Sequence, residues 1–526
     1  MTLFAKLFLL LRTIQYLKAR QIVFRFYYIA RNFLRSYTRF QYPVYVEKKS
    51  ISLKLQKTFK INSSYNNNEF TFLNISEKFD SKIDWEFLKH GKLWCYHLNY
   101  FEFLHQGDME CGNGLELIRD FMKGVKTNSI GNEPYPTSLR AVNWIKFLTL
   151  NRIKESEIDS FLYAQVLRLC DNIEYHLLGN HILENGCAIL FASYYFHDET
   201  LFKKAEMILK FQLNEQILND GGHFERSPMY HQILLGRLLD CINLVQNNDL
   251  YESSLLELLG RKAELMLGWL SQITFSNGEI PLVNDSAEGI APESDILFSY
   301  AKLLGVGHQS VCLRESGYRK IEQGSYEMLV DVGSIGPEYL PAHGHCDALS
   351  FLLYFQKKPI IVDSGISTYE KGDLRMTQRG TSAHNTVQID CKEQSEIWDS
   401  FKVGRRAEIN NLIEKKNYIS ASHDGYKLLG ARHAREFIFS DHSINITDAV
   451  CSKKEYVCYA YLHFHPNVSV QLHGEVLYVN ELKIAFDGAS NIVLKEYKFA
   501  SRFNILTSAN VLVASFNRHL KTEINL

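Results

Sequence analysis

Between about residues 76 and 315 apolar side chains recur at steps of three and four, the spacing that gives a helix one buried face. The pattern predicts helices over 114–125, 136–150, 157–178, 181–195, 200–218, 230–247 and 253–273. Short links separate them, with turn formers at Asn219-Asp220-Gly221-Gly222 and Ser276-Asn277-Gly278. Successive helices with short links fold back on one another, so an array of α/α hairpins is expected. Near residue 318 the period falls to two. Short strands are predicted over 326–332, 348–355, 359–362, 386–389, 418–422, 436–439, 443–448, 456–464 and 468–472. Evenly spaced strands without helices between them imply an antiparallel sandwich. The change of period, at Glu315-Ser316-Gly317, divides the chain into a leader and linker over 1–75, a helical domain over 76–317 and a β-domain over 318–526.

The leader departs from ordinary patterning. Its first 46 residues hold no Asp or Glu, yet Lys6, Arg12, Lys18, Arg20, Arg25, Arg31, Arg35 and Arg39 stand among Leu, Ile, Phe and Tyr. The apolar run 7–11 is too short to span a bilayer, and no convincing small-residue cleavage site follows it. A basic amphipathic helix has two readings. It lies on an anionic membrane face through residues 1–40, or it packs on the helical domain with its arginines in water.

Composition narrows the class. A chain of 526 residues exceeds one ordinary core, and 46% hydrophobic with 22% charged residues is a normal globular balance. A net charge of −1 offers no global attraction for nucleic acid, so an anionic ligand must meet a local basic site. None of the ten cysteines forms a CxxC pair, so neither a disulfide framework nor a zinc-finger cage is indicated. Aromatic residues, 13% of the chain, serve chiefly as core and secondarily as platforms for sugar rings.

Five clusters carry candidate chemistry. In Asn180-His181-Ile182-Leu183-Glu184 a helix starting after Gly179 would place Asn180 and Glu184 on one face. An amide or protonated imidazole there suits a carboxylate, although a helix cap with a satisfied histidine accounts for the same residues. Asp220 to His231 runs from a glycine turn into a helix start, where Tyr230 would act as acid or base if a cation lowered its pKa. An ordinary buried tyrosine fits as well. In His343-Gly344-His345-Cys346-Asp347 the two imidazoles share a face if the segment is extended, and Asp363 and His384 follow on later segments. Two imidazoles and a carboxylate suit a zinc-like ion, or are polar groups at strand ends. Finally, 135–144 and 282–286 put polar and aromatic groups at helix entrances. Arg140 and Trp144 would hold an acidic sugar by charge and stacking, or simply fill the core.

Taken in order, these motifs resemble the heparinase II/III family of polysaccharide lyases, with its alginate-active relatives. The resemblance rests on Asn180-His-x-x-Glu184, Glu225-x-Ser227-x-x-Tyr230, His343 to Asp347, Val362-Asp363-Ser364-Gly365 and Arg379 to Thr386, over roughly 80–465. It implies a multidomain chain, α then β, with an incomplete (α/α) toroid followed by an antiparallel β-sandwich. It also implies an enzyme that cleaves a uronic-acid glycan by β-elimination. Tyr230 and His343 would form the acid/base pair, while Asn180 and His181 would neutralise the uronate carboxylate. Glu184 and Arg379 would support them, and His345, Asp363 and His384 would hold a structural zinc. Cys346 stands where a small residue is expected.

The acid-free leader and the stretch 94–101 look more like membrane-associated or cytoplasmic relatives than secreted scavengers, which points to a cell-surface polysaccharide as substrate. Resemblance alone would place the chain in the cell envelope or periplasm. Two other functions remain open at this point. One is a non-catalytic glycan-binding protein of polysaccharide assembly; the other is a hydrolase whose metal activates water.

Overall fold

The computed structural model describes residues 3–57 and 61–526. Two helices open the chain, α1 (Leu3–Ile14) and α2 (Ala19–Tyr37). A three-stranded sheet over 65–78 follows, almost wholly within the stretch that the sequence pattern left as leader and linker. Its middle strand, Glu69–Phe72, alternates exposed and buried residues, so its period is two, and Phe70 and Phe72 pin it to the helical core.

The helical array then runs α3 (Lys92–Tyr100), α4 (Cys111–Gly124), α5 (Pro134–Leu150), α6 (Ser156–Asp171), α7 (Asn180–Tyr195), α8 (Glu199–Gln216), α9 (Pro228–Asn247), α10 (Leu255–Ile273) and α11 (Ser294–Leu303). Packing sorts them into two layers. α3, α5, α7, α9 and α11 touch in sequence as an inner row, and α6, α8 and α10 back them from outside. This explains why α5, α7 and α9 read as apolar on every side: their residues are buried nearly all round, whereas α6 and α8 keep a wet face. The predicted helix 157–178 stops at Asp171. Beyond it the chain turns so that the Glu174 amide donates to Asn185 Oδ1 and the Glu174 carboxylate faces α7.

From Tyr318 the chain is antiparallel sheet. A four-stranded sheet comprises Tyr318–Gln323, Tyr326–Asp331, Phe351–Phe355 and Lys358–Ile361. It acts as mortar between the two halves. Leu329, Leu352 and Tyr354 join the helical core, while Tyr326, Met328, Val330, Phe351 and Leu353 join the β core. Side chains alternate across a strand, so burial of Tyr326–Asp331 along its whole length follows from having a core on each face. Beyond it an eight-stranded and a four-stranded sheet enclose the second core, and the short helix α12 (Asp373–Arg379) interrupts the strands. Inside this core Arg435 binds Asp448 through two nitrogens, at 2.7 and 3.0 Å. Its remaining nitrogen donates to the carbonyls of Leu349 and Asn385, which tethers two segments that carry candidate site residues.

The leader packs on the helical half, but inverted. Gln21, Tyr28, Arg31 and Arg35 of α2 face the protein and bond to residues 171–177, so these two arginines are turned inward while Arg20 and Arg25 stay exposed. The apolar side faces solvent instead. α1 reaches the other half: Arg12 pairs with Glu396, and Trp398 donates to Thr13. Together the two helices strap the seam between the domains.

Candidate active site

The start of α7 supplies the first pair of side chains. Gly179 precedes it at φ 63°, and a Cβ there would lie 2.3 Å from Leu340 and 2.6 Å from the Glu225 carboxylate, so only glycine fits the approach. Asn180 then donates its backbone N–H and its amide to Glu225, at 2.9 to 3.2 Å. His181 bonds through Nδ1 to Glu174 at 2.9 Å and keeps 30% of its side chain exposed. Burial alone would lower its pKa, but Glu174, with Glu225 and Glu133 behind it, outweighs that and raises it. The result is a partly open imidazole whose protonated form Glu174 favours, with Nε2 turned from that bond.

The start of α9 supplies Tyr230. Ser227 caps the helix and Pro228 fixes its first turn, while Ser227 Oγ also meets the Asp285 carbonyl and Ser286 Oγ. The Tyr230 ring lies 4.0 Å, centroid to centroid, from that of His343. Burial pushes the phenol well above the ordinary tyrosine value, against a smaller opposing effect of its hydrogen bond with Tyr369. The expectation that a cation would lower this pKa is therefore corrected: dehydration of the phenolate dominates, and at rest Tyr230 is a proton donor.

From the β half comes the segment 343–347. It is a turn, not a strand, and Gly344 passes so close to Ile335 that a Cβ would meet its carbonyl oxygen at 1.8 Å. Both imidazoles still converge, since each reaches the carboxylate of Asp285. His343 Nδ1 lies 2.9 Å from one oxygen and His345 Nε2 lies 2.9 Å from the other. Arg375 closes the cluster by binding both oxygens, at 2.5 and 2.7 Å. Burial would raise the Asp285 pKa, but Arg375 and the two histidines hold it well below the carboxylate range. An ionised carboxylate only accepts, so His343 carries a proton on Nδ1, and its second ring nitrogen is Nε2. That nitrogen faces Glu225 at 3.3 Å. Glu225 thus links Asn180 to His343, and Asn180, Tyr230 and His343 meet at the seam. Tyr96, Tyr100 and Tyr135 continue the aromatic wall, and the Tyr135 ring lies tilted against that of His181, 4.4 Å between centroids.

Not every expected residue is there. Arg140 is fully buried, with its guanidinium donating to Asn99, Gly131, Thr137 and Gln165. Trp144 is enclosed by Phe101, Phe121 and Phe161. Neither presents a surface to a sugar: the i,i+4 spacing was right, but it faces the core. Glu184 is likewise buried, held by Arg237 at 2.8 Å. Arg379 donates to the carbonyls of Gly344, Asp399 and Ser400, so it shapes the histidine turn.

Asp363, His345 and His384 lie together behind the site. Asp363 bonds His384 Nδ1 at 2.7 Å, and the rings of His345 and His384 are 5.2 Å apart. Among the described residues no three His, Cys, Asp or Glu side chains stand ready as ligands of one ion. Yet His345 Nδ1, His384 Nε2 and Asp347 Oδ2 are buried without any partner. Orphaned buried polar atoms are rare in a folded protein, and this donor set has the chemistry of a zinc site.

Sequence reasoning missed Asp285, Arg375, Tyr369 and Glu174. The stretch 282–286 stood out, but nothing in its spacing marks its aspartate as the point where two histidines and an arginine meet.

Known proteins match this arrangement along its length. The model of the heparinase II/III N-terminus covers residues 137–302, and that of the heparinase II/III-like C-terminal region covers 306–523. A heparin-sulfate lyase of Bacteroides stercoris is 23% identical over 314 residues, 53% of this chain and 45% of the relative. One from Bacteroides thetaiotaomicron is 24% identical over 402 residues, 63% of this chain and 57% of the relative. The chain thus spans about half the length of the curated relatives it matches. Among solved structures, heparinase III superposes with a TM-score of 0.63 at 15% identity, over 85% of this chain and 80% of that one. Chondroitin AC lyase of Streptomyces coelicolor A3 gives 0.53 at 6% identity, over 83% and 74%. At such identities the likeness is one of fold, an incomplete α/α toroid followed by antiparallel sheets. Two family models in tandem across the helical and sheet halves, with the fold to match, make this chain a member of the heparinase II/III-like family.

Proposed function

We propose that the protein is a polysaccharide lyase that cleaves a uronic-acid-containing glycan by β-elimination. The observation that carries this reading is the stack of Tyr230 on His343, an acid and a base contributed by opposite halves of the molecule. The proton α to a uronate carboxylate is removable only if the charge developing on that carboxylate is neutralised. His181, whose protonated form Glu174 favours, supplies the positive charge, and the Asn180 amide, which donates to Glu225 at rest, would turn to join it. His343 Nε2 takes the C5 proton. The C4–O bond then breaks, and the Tyr230 phenol protonates the departing oxygen. The products are an unsaturated uronate end and a free hydroxyl end. The imidazolium then gives its proton to water and the phenolate takes one from water, which resets the pair.

The relatives are named for heparin sulfate, and we extend to this chain only the class, a uronate polymer. A polysaccharide of the cell surface fits the membrane contact that the basic leader also proposes. Incubation with heparan sulfate, hyaluronan, alginate and a capsular uronate polymer should release products absorbing in the ultraviolet from at least one. Binding without such products would mean a glycan-binding protein, and saturated products would mean a hydrolase; either result overturns the reading.

His345, Asp363 and His384 would hold a zinc ion, with Asp347 beside them. Such an ion would cross-link the turn carrying His343 to the segment carrying His384 and so aim the base. Purified protein should contain close to one equivalent of zinc by elemental analysis. His384→Ala should abolish that content and lower the melting temperature, whether or not substrate is present.

A further inference from the structure

We infer that α2 docks on an anionic phospholipid surface through the side it turns away from the protein, which names the face, the helix and the lipid class for the membrane contact proposed above. Val23, Phe26, Tyr27, Phe33, Leu34 and Tyr37 recur at three- and four-residue steps, and each is at least half exposed, Tyr37 at 85%. In a helix of 3.6 residues per turn these positions form one stripe. The opposite side, Gln21, Tyr28, Arg31 and Arg35, makes the polar contacts to residues 171–177. A surface helix normally turns its apolar stripe inward, and a contiguous exposed stripe marks an interaction site.

Charge identifies the occupant. No carboxylate occurs in residues 1–46, so nothing on the leader repels a negative surface. Along one flank of the stripe, beside the end of α2, lies an open pocket of about 540 Å³ lined by Arg39, Arg168, Asn32, Tyr42 and Asn172, and by Arg35, whose charge Asp171 already pairs. Arginines beside a greasy stripe match phosphate headgroups beside acyl chains. A second copy of this chain would bring another set of arginines to the same face. α1 continues the surface, with Leu7, Phe8 and Leu11 more than half exposed. Among the described residues no helix is long and apolar enough to cross a membrane, so the contact lies in the plane of the interface. Because α1 also grips Glu396 and Trp398, a few residues from Phe401 beside His343, docking holds the rim of the candidate site near the bilayer.

The full chain is to be sedimented with phosphatidylcholine vesicles with and without phosphatidylglycerol. Wild-type protein should bind the anionic vesicles and be released by salt. Phe33→Glu should weaken that binding at least about tenfold, and Arg39→Glu should weaken it on anionic vesicles only. Both variants should keep the wild-type melting temperature and the wild-type rate on soluble polymer, since neither residue is in the site. Absence of binding to any vesicle overturns the inference. So does binding that Phe33→Glu leaves intact, although a membrane contact through another face would then survive. Self-association abolished by Phe33→Glu, without vesicle binding, would assign the stripe to a second copy and also overturn it. Turnover assayed on the same samples keeps a failure of the lyase reading separate from all of these.

Discussion

Tyr230→Phe lowers turnover of the responsive uronate polymer by about 10²–10⁴-fold and leaves its KM within a few-fold of wild type. The substitution removes one oxygen and keeps the ring, so the stack on His343 and the packing at the head of α9 persist. What disappears is the phenol proton of the ring that packs on His343. Burial raises the pKa of this phenol, so the wild-type residue enters the reaction carrying that proton. Its hydrogen bond with Tyr369 is lost as well, which costs on the order of 1 kcal/mol of stability, too little to unfold the protein. Steady-state rates from ultraviolet absorbance, with binding measured separately by calorimetry, check the split. A variant that retains a tenth of the wild-type rate would remove Tyr230 from the chemistry.

Asp285→Asn is the second large effect. Asp285 touches no substrate in this scheme; it positions His343. Its carboxylate accepts from His343, His345 and Arg375 at once, and an amide has only one oxygen to offer. The amide N–H₂ would face a histidine N–H, and the His343 tautomer that leaves Nε2 free would lose its support. Turnover should fall by about 10²–10⁴-fold with KM little changed, by the same logic that makes a buried carboxylate orient a catalytic imidazole elsewhere. Nitrogen-15 spectra of the imidazoles should show the protonated nitrogen of His343 moving from Nδ1 to Nε2. An unchanged tautomer with lost activity would mean that Asp285 is merely structural. Asp285→Ala should in addition destabilise the fold by about 3–5 kcal/mol, because Arg375 would be left buried and unpaired.

The clusters differ in how much of this was legible. Asn180 and His181 announce themselves, because a glycine followed by polar residues and then an apolar helix is a helix start. Tyr230 does too, after Ser227-Pro228. Arg140 and Trp144 show the opposite: the same residue types at helical spacing turn out to be core, since α5 belongs to the inner row and has no free face. Glu174 was hidden within a predicted helix that in fact ends three residues earlier.

Periodicity by itself determined the order of architecture, helices and then strands, because the 3.6 and 2.0 repeats are properties of the backbone that burial prints onto the chain. The acid-free leader was likewise visible as composition. Tertiary structure alone decided which faces are inner, that Asp285 gathers two histidines and an arginine, and that α2 turns Arg31 and Arg35 inward and its apolar stripe outward. Those outcomes depend on contacts between residues tens to hundreds of positions apart, such as Asp285 with Arg375 or Arg12 with Glu396, and no local repeat records them.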